Sequence, residues 1–161
     1  MKKKLGWHFI SMDKIAYSDK NETILKEGKV YSIPENRKII LCKRGFHFSD
    51  TILDALYYTR RWAFRDAKIL LCRVEVWGDI KRSCNFYDFF TKSVSRHKKI
   101  LWMIDANDII DKAITTEYEL KPFYWGDDEF PFYGMSNLKR LNRRITSAVM
   151  AKRKKELKEL I

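Results

Sequence analysis

The chain has 161 residues, 45% hydrophobic and 14% aromatic, which is enough apolar side chain to fill a core and excludes wholesale disorder. That length fits one domain with room for an appended helix. A formal net charge of +12 is unusual for an ordinary metabolic enzyme and points to a polyanionic partner, a nucleic acid, an acidic protein surface or a phosphate-rich ligand, the alternative being a solubility feature of a Lys-rich proteome.

Met1-Lys2-Lys3-Lys4 has the charge of a signal-peptide start, but Gly6, Trp7, His8, Ser11 and Asp13 deny it an apolar continuation. Leu5 to Ile10 reads as a first strand carrying Trp7-His8-Phe9. Residues 11 to 37 read as a loop plus a short strand or edge ribbon, its apolar piece Lys29 to Ile33 stopped by Pro34. Ile39 to Cys42 reads as an apolar strand that turns at Gly45 into Phe46-His47-Phe48. Ser49 or Asp50 is positioned to cap the helix that follows. Ile52, Leu53, Leu56, Tyr57 and Trp62 or Phe64 supply its apolar face. Ile69 to Trp77 reads as a strand whose first half is apolar on both faces, as for a central position. Alternation then sets Arg73 and Glu75 on one face and Cys72, Val74 and Val76 on the other.

From Asn85 to Lys99 the chain is first aromatic and then basic, ending in Arg96, His97, Lys98 and Lys99. Ile100 to Ile104 reads as a buried strand or short helix, Asp105 to Ala113 as a helix and Glu117 to Trp125 as a strand. The acidic run Asp127-Asp128-Glu129 reads as a solvated loop. Ser136 is expected to open a long helix to the C-terminus with the apolar stripe Leu138, Leu141, Ile145, Ala148 and Val149. Between Ser136 and Ile161, nine Lys or Arg stand against two Glu, so +7 of the total +12 lies there. The expected fold class is α+β: a small mixed or antiparallel sheet with flanking helices, a core domain over 1–135 and a basic amphipathic helix over 136–161. No run approaches the roughly 18 apolar residues of a membrane span, so no membrane partner is expected. Cys42, Cys72 and Cys84 are odd in number and lack CxxC spacing, which argues against a zinc site and for a reducing cytosol.

Two histidines sit in matched aromatic frames, Trp7-His8-Phe9 and Phe46-His47-Phe48. Either both imidazoles face one cleft, where a neutral ring can bond a ribose hydroxyl, or both are satisfied core histidines. Ser49 at a helix start either binds an anion or merely caps. Arg73 and Glu75 are either a cleft-side pair, with Arg73 toward phosphate, or an exposed ion pair of little energy. The run Arg96 to Lys99 is either a phosphate site or a solvated loop. Arg140, Arg143, Arg144, Lys152, Arg153, Lys154 and Lys155 on the last helix suit a nucleic acid or an acidic partner.

Over residues 5 to 113 the chain resembles a family of small phage and bacterial domains. The match lies in Trp7-His8-Phe9, in Leu41-Cys42 with Gly45, His47 and Ser49, and in Asp54-Ala55-Leu56 with Tyr58. It continues in Leu71-Cys72-Arg73-Val74-Glu75 and in Lys99-Ile100-Leu101-Trp102 with Asp105-Ala106. The resemblance implies a phage or prophage origin and action in a host bacterial cytosol, and it assigns no reaction. More distantly, Gly45 to Asp50, Ala55 to Tyr58 and Ile69 to Gly78 resemble, in that order, the core of ADP-ribosyltransferases of the poly(ADP-ribose) polymerase type. That likeness implies NAD as cofactor, His8 on the ribose and His47 in place of the Tyr that stacks on nicotinamide. Trp7, Ser49, Tyr57 and Arg73 would complete the pocket. Lys99 to Asp105, where the family carries its Glu, has none, leaving Glu75, Glu117 or Glu119 to steady the transition state. The resulting expectation is a phage-encoded accessory protein with a nucleotide cleft and ADP-ribosyl transfer to a host target. The alternative is a basic, non-enzymatic protein that occupies a host defence or nucleic-acid-processing complex.

Overall fold

The computed structural model describes residues 2–12, 15–18, 21–62, 69–83, 91–116 and 135–159. The chain divides into two compact units, Met1–Asp105 and Ala106–Ile161. The first unit runs β1 (Lys4–Ser11), β2 (Ile15–Ser18), β3 (Asn21–Ile24), β4 (Val30–Ser32), β5 (Phe46–Phe48), α1 (Ile52–Trp62), β6 (Ile69–Trp77), β7 (Lys81–Arg82), β8 (Ser93–Ser95) and β9 (His97–Asp105). The second contains α2 (Asn107–Thr116) and α3 (Met135–Glu159).

Four strands form the main sheet in the order β1-β6-β9-β4, and β5-β8-β7 form a smaller one. Every ladder among the described residues is antiparallel. The α+β expectation therefore holds at the level of two small antiparallel sheets, a β2–β3 hairpin and three helices. The sheets meet at two points. Between β8 and β9 stands only Arg96, and the free edge of β1 takes up the end of β5 through Trp7 N–H to Ser49 O at 2.8 Å and Ser49 N–H to Trp7 O at 2.9 Å.

Register decides what each face of the main sheet carries. His8 lies opposite Cys72, Gly6 opposite Val74, and Val76 opposite Lys98, which also faces Tyr31. Directly opposed residues share a face, so Gly6, His8, Ile10, Leu70, Cys72, Val74, Val76, Lys98 and Ile100 lie on one side. This face meets Phe46, Phe48 and Val94 of the small sheet and Leu25, Ile33 and Ile39 of the connections to form a core cluster. A fully buried branched residue such as Val74 contributes roughly 1.5–3 kcal/mol there. Gly6 is required by the contact: a methyl group on it would stand 2.6 Å from a ring carbon of Phe48. The other face carries Trp7, Phe9, Leu71, Arg73, Glu75, Lys99 and Trp102. A bulge between Arg73 and Val74 leaves Leu101 without a partner on β6, which keeps this alternation in phase on both sides of it.

Several local expectations change. Ile39 to Cys42 is not a strand but a tight turn, closed by the Ile40–Arg44 bridge with Cys42 exposed at φ +62°. Thr51, rather than Ser49 or Asp50, caps α1, its Oγ1 accepting from Asp54 N–H at 3.0 Å. Residues 11 to 37 hold the β2–β3 hairpin, which periodicity did not announce, and β9 starts at His97 instead of Ile100. The strand expected over 117–125 lies outside the described residues. In α3, Leu141, Ile145 and Val149 are buried at four-residue spacing, but Ala148 is exposed. Within the second unit an ion pair of 3.0 Å joins Lys152 to Asp108 of α2. Among the described residues no helix is long and apolar enough to cross a membrane.

Candidate functional site

His8 points from β1 over the face of the main sheet that the small sheet covers, and His47 stands at the middle of β5. Both are half-buried. Burial, then the charge of Lys98, then that of His47, holds the His8 imidazole well below its ordinary 6.5. His47 is lowered to about 4 by burial and by the charges of Lys92 and Lys98. Both rings are thus neutral at physiological pH, and each senses the same lysine. The Nε2 of His47 is buried and has no hydrogen-bond partner among the described residues.

Lys98, read from the sequence as part of a basic run that is either a phosphate site or a solvated loop, is instead buried. Its side chain is 2% exposed, in a row with Ile100 on β9. Its ammonium lies over the ring of Phe46 at 5.7 Å. Burial lowers its pKa to about 8, against an opposing pull from Cys72. The signal was available: His97 to Asp105 alternates with period two once the strand is started early enough, which puts Lys98 on the Ile100 face.

The remaining candidates do not join this cluster. Trp7 and Arg73 come together on the opposite face, with the Arg73 guanidinium stacked 4.3 Å from the Trp7 ring and Trp102 edge-on to Trp7 at 5.7 Å. Arg73 Nη1 donates to Gly6 O at 3.4 Å. Glu75 is on that same far face, ion-paired to Lys3 at 2.8 Å. Its carboxylate is therefore directed away from the histidines. Ser49 is buried, and its backbone N–H is spent on Trp7 rather than offered to an anion. Asp50 beside it pairs with Lys4 at 2.7 Å and Arg82 at 3.5 Å. The side chain of Tyr57 lies outside those described, as do Glu117 and Glu119.

The basic run 96–99 is split by the strand geometry. Arg96, 5% exposed, donates to the carbonyls of Ile33, Pro34 and Arg37 at 3.3, 2.6 and 3.1 Å and to Asp79 Oδ2 at 2.6 Å, so it knots the loop after β4 to the end of β6. His97 stacks on Trp77 at 5.4 Å and shares a 2.8 Å hydrogen bond with Ser32 Oγ. Gly78, at φ +85°, makes room for that ring, since a Cβ there would stand 2.8 Å from it. Neither residue is presented to a ligand. On α3, Arg140, Arg143, Arg144, Lys154 and Lys155 are exposed, whereas Lys152 and Arg153 are half-buried, Arg153 within 3.6 Å of Glu156.

No protein-family model, curated protein or solved structure matches the chain.

Proposed function

We propose that this chain is a phage-encoded nucleotide-binding protein with an ADP-ribosyltransferase-like core, and that an NAD-like ligand sits over the sheet face of His8. The observation that carries the reading is that two imidazoles from separate strands, His8 of β1 and His47 of β5, are both held neutral by burial and by the charge of one buried lysine, Lys98. A neutral imidazole both donates and accepts, which suits a ribose hydroxyl. In this reading His8 holds the ribose, and His47, flanked by the buried rings of Phe46 and Phe48, frames the base together with Tyr57. Glu75 faces away, so binding is better supported than transfer, which would need a carboxylate from Glu117 or Glu119.

Calorimetric titration with NAD and with ADP-ribose tests this. His8→Ala and His47→Ala are each expected to weaken binding by about tenfold, the value of one hydrogen bond to a buried group. Wild-type protein that binds neither ligand, or two variants that bind like wild type, would overturn it. Mass spectrometry of a host lysate incubated with the protein and labelled NAD separates transfer from binding.

A second reading is favoured by α3, where Arg140, Arg143, Arg144, Lys154 and Lys155 form one exposed cationic face. Such a face suits a nucleic acid or an acidic host protein. Reversing Arg140, Arg143, Lys154 and Lys155 to Glu should weaken oligonucleotide binding at low salt. The slope of log affinity against log salt should flatten by about one for each phosphate that is no longer neutralised. Unchanged salt dependence would count against this reading.

A further inference from the structure

We infer that α3 is a groove-binding helix for duplex DNA: a basic cluster toward each end grips the phosphates of a different strand, and small residues between them face the base edges. This rests on the reading of α3 as a cationic interface, and it names the partner and the way that partner is held.

The charge of α3 is neither uniform along its length nor spread around it. Leu141, Ile145 and Val149 are buried, and the opposite side is exposed. On that side Lys139, Arg140, Arg143 and Arg144 form one cluster, and Lys154, Lys155 and Lys158 form a second. No acidic residue interrupts the chain from Met135 to Lys155. Glu156 and Glu159 come after it, near Arg153 and Lys155 at 3.6 and 3.7 Å. Arg143 and Lys154 are eleven residues apart, as are Arg144 and Lys155. Eleven residues make about three turns, so each pair lies almost in line, its members roughly 16 Å apart along the axis. Between the clusters the middle of the exposed side carries Ser147, Ala148 and Ala151, which are small and uncharged. Met150 and Leu157, 48% and 47% exposed, fall on one flank. At 3.6 residues per turn they stand roughly 80–100° round the helix from that centre line.

Charge complementarity selects a polyanion, and the arrangement selects a DNA duplex. A protein interface centres on large aromatic or apolar anchors and keeps its charges at the rim. Here the centre holds a serine and two alanines. A single strand is held by a continuous cationic groove with aromatic side chains on which its bases stack. α3 has no aromatic residue, and its exposed charge is broken in the middle. A duplex presents the pattern that α3 complements, two phosphate walls with uncharged base edges between them. The major groove of B-form DNA is about 12 Å wide and admits an α-helix. With α3 set obliquely in that groove, clusters roughly 16 Å apart reach opposite walls on their long side chains. The small residues let the helix backbone approach the groove floor, where the Ser147 hydroxyl can donate or accept and the alanine methyls meet thymine methyls. The major groove of A-form RNA is too deep and narrow for this, so duplex RNA is not an equivalent ligand.

The test measures binding of the full chain, by fluorescence anisotropy across a salt series, to four probes: a mixed-sequence DNA duplex, one of its single strands, the same sequence as duplex RNA, and poly-glutamate. The DNA duplex should bind tightest. Arg143→Gln with Arg144→Gln, and Lys154→Gln with Lys155→Gln, should each flatten the slope of log affinity against log salt by about two. Ser147→Leu with Ala151→Leu keeps every charge and places a good helix former at two exposed sites, so the fold is retained. It should weaken duplex binding about tenfold or more by holding the helix off the groove floor, and leave single-strand binding unchanged. Duplex affinity unaltered by the two leucines would overturn the groove geometry while leaving the cationic interface in place. Single-stranded DNA or duplex RNA that binds as tightly as the DNA duplex would do the same. Poly-glutamate that binds more tightly than DNA would overturn the inference in favour of an acidic protein. If none of the four probes binds wild type, the cationic reading of α3 falls with it.

Discussion

Replacing Lys98 by Met should stabilise the protein by about 3 kcal/mol at neutral pH. Burial lowers the pKa of Lys98 from 10.5 to about 8. At about 1.4 kcal/mol per pH unit, the folded state carries a penalty of about 3 kcal/mol for the charged ammonium. The sign follows from proton counting. Below pH 8 the lysine is charged in both states and the penalty is fully present. Between pH 8 and 10.5 the folded chain has released a proton that the unfolded chain still holds, so the penalty fades as pH rises. Met matches the length of the stem and removes the charge, so the gain of Lys98→Met over wild type should be constant from pH 6 to about 7.5 and vanish near 10.5. In a unit of this size a gain of that order raises the melting temperature by roughly 10 °C or more. Paired urea or thermal melts across this pH range read the difference directly. A variant less stable than wild type at neutral pH would mean that the ammonium is satisfied within the protein.

Much of the scaffold was legible from local pattern. The limits of β6 at Ile69 and Trp77, its apolar first half, and the Arg73/Glu75 alternation can all be read from one strand. The matched aromatic frames of His8 and His47 were legible, but not their strand partners, Cys72 for His8 and Val94 for His47. What could not be read is register. Whether Glu75 shares the side of His8 depends on which residue of β6 lies opposite His8. With Cys72 in that position, Glu75 falls on the far face, and a slip of one residue would have reversed this. The run Arg96 to Lys99 fails for a related reason. Four consecutive basic residues look like a patch, but a strand sends neighbours to opposite faces, and the change of sheet at Arg96 turns that residue inward. One patch thus becomes a loop knot, a stacked ring, a buried ammonium and a half-buried lysine on the far face. The turn at Ile40–Arg44 was hidden because apolar content signals burial more reliably than it signals extension. A left-handed Cys42 carries no compositional mark.

Stability should fall steeply in mild acid, by about 3 kcal/mol from His47 alone between pH 6.5 and 4, with a further loss from His8. Both imidazoles are neutral in the fold because burial and the nearby charge of Lys98 oppose protonation, joined by His47 at His8 and by Lys92 at His47. Above pH 6.5 neither state binds the proton and the histidines contribute nothing. As pH falls through 6.5 the unfolded chain takes up protons that the folded chain refuses until about pH 4, so unfolding is favoured progressively across that window. Asp54 works in the opposite sense. Its carboxyl is raised by burial, so the folded state takes its proton first and regains a little stability as pH falls. The difference between wild type and His47→Leu cancels Asp54 and isolates the imidazole. The variant should lose less stability than wild type between pH 6.5 and 4, by about 3 kcal/mol if burial of the neutral ring is as complete as the His47 value implies. Parallel acid curves for the two proteins would show that His47 protonates freely in the fold.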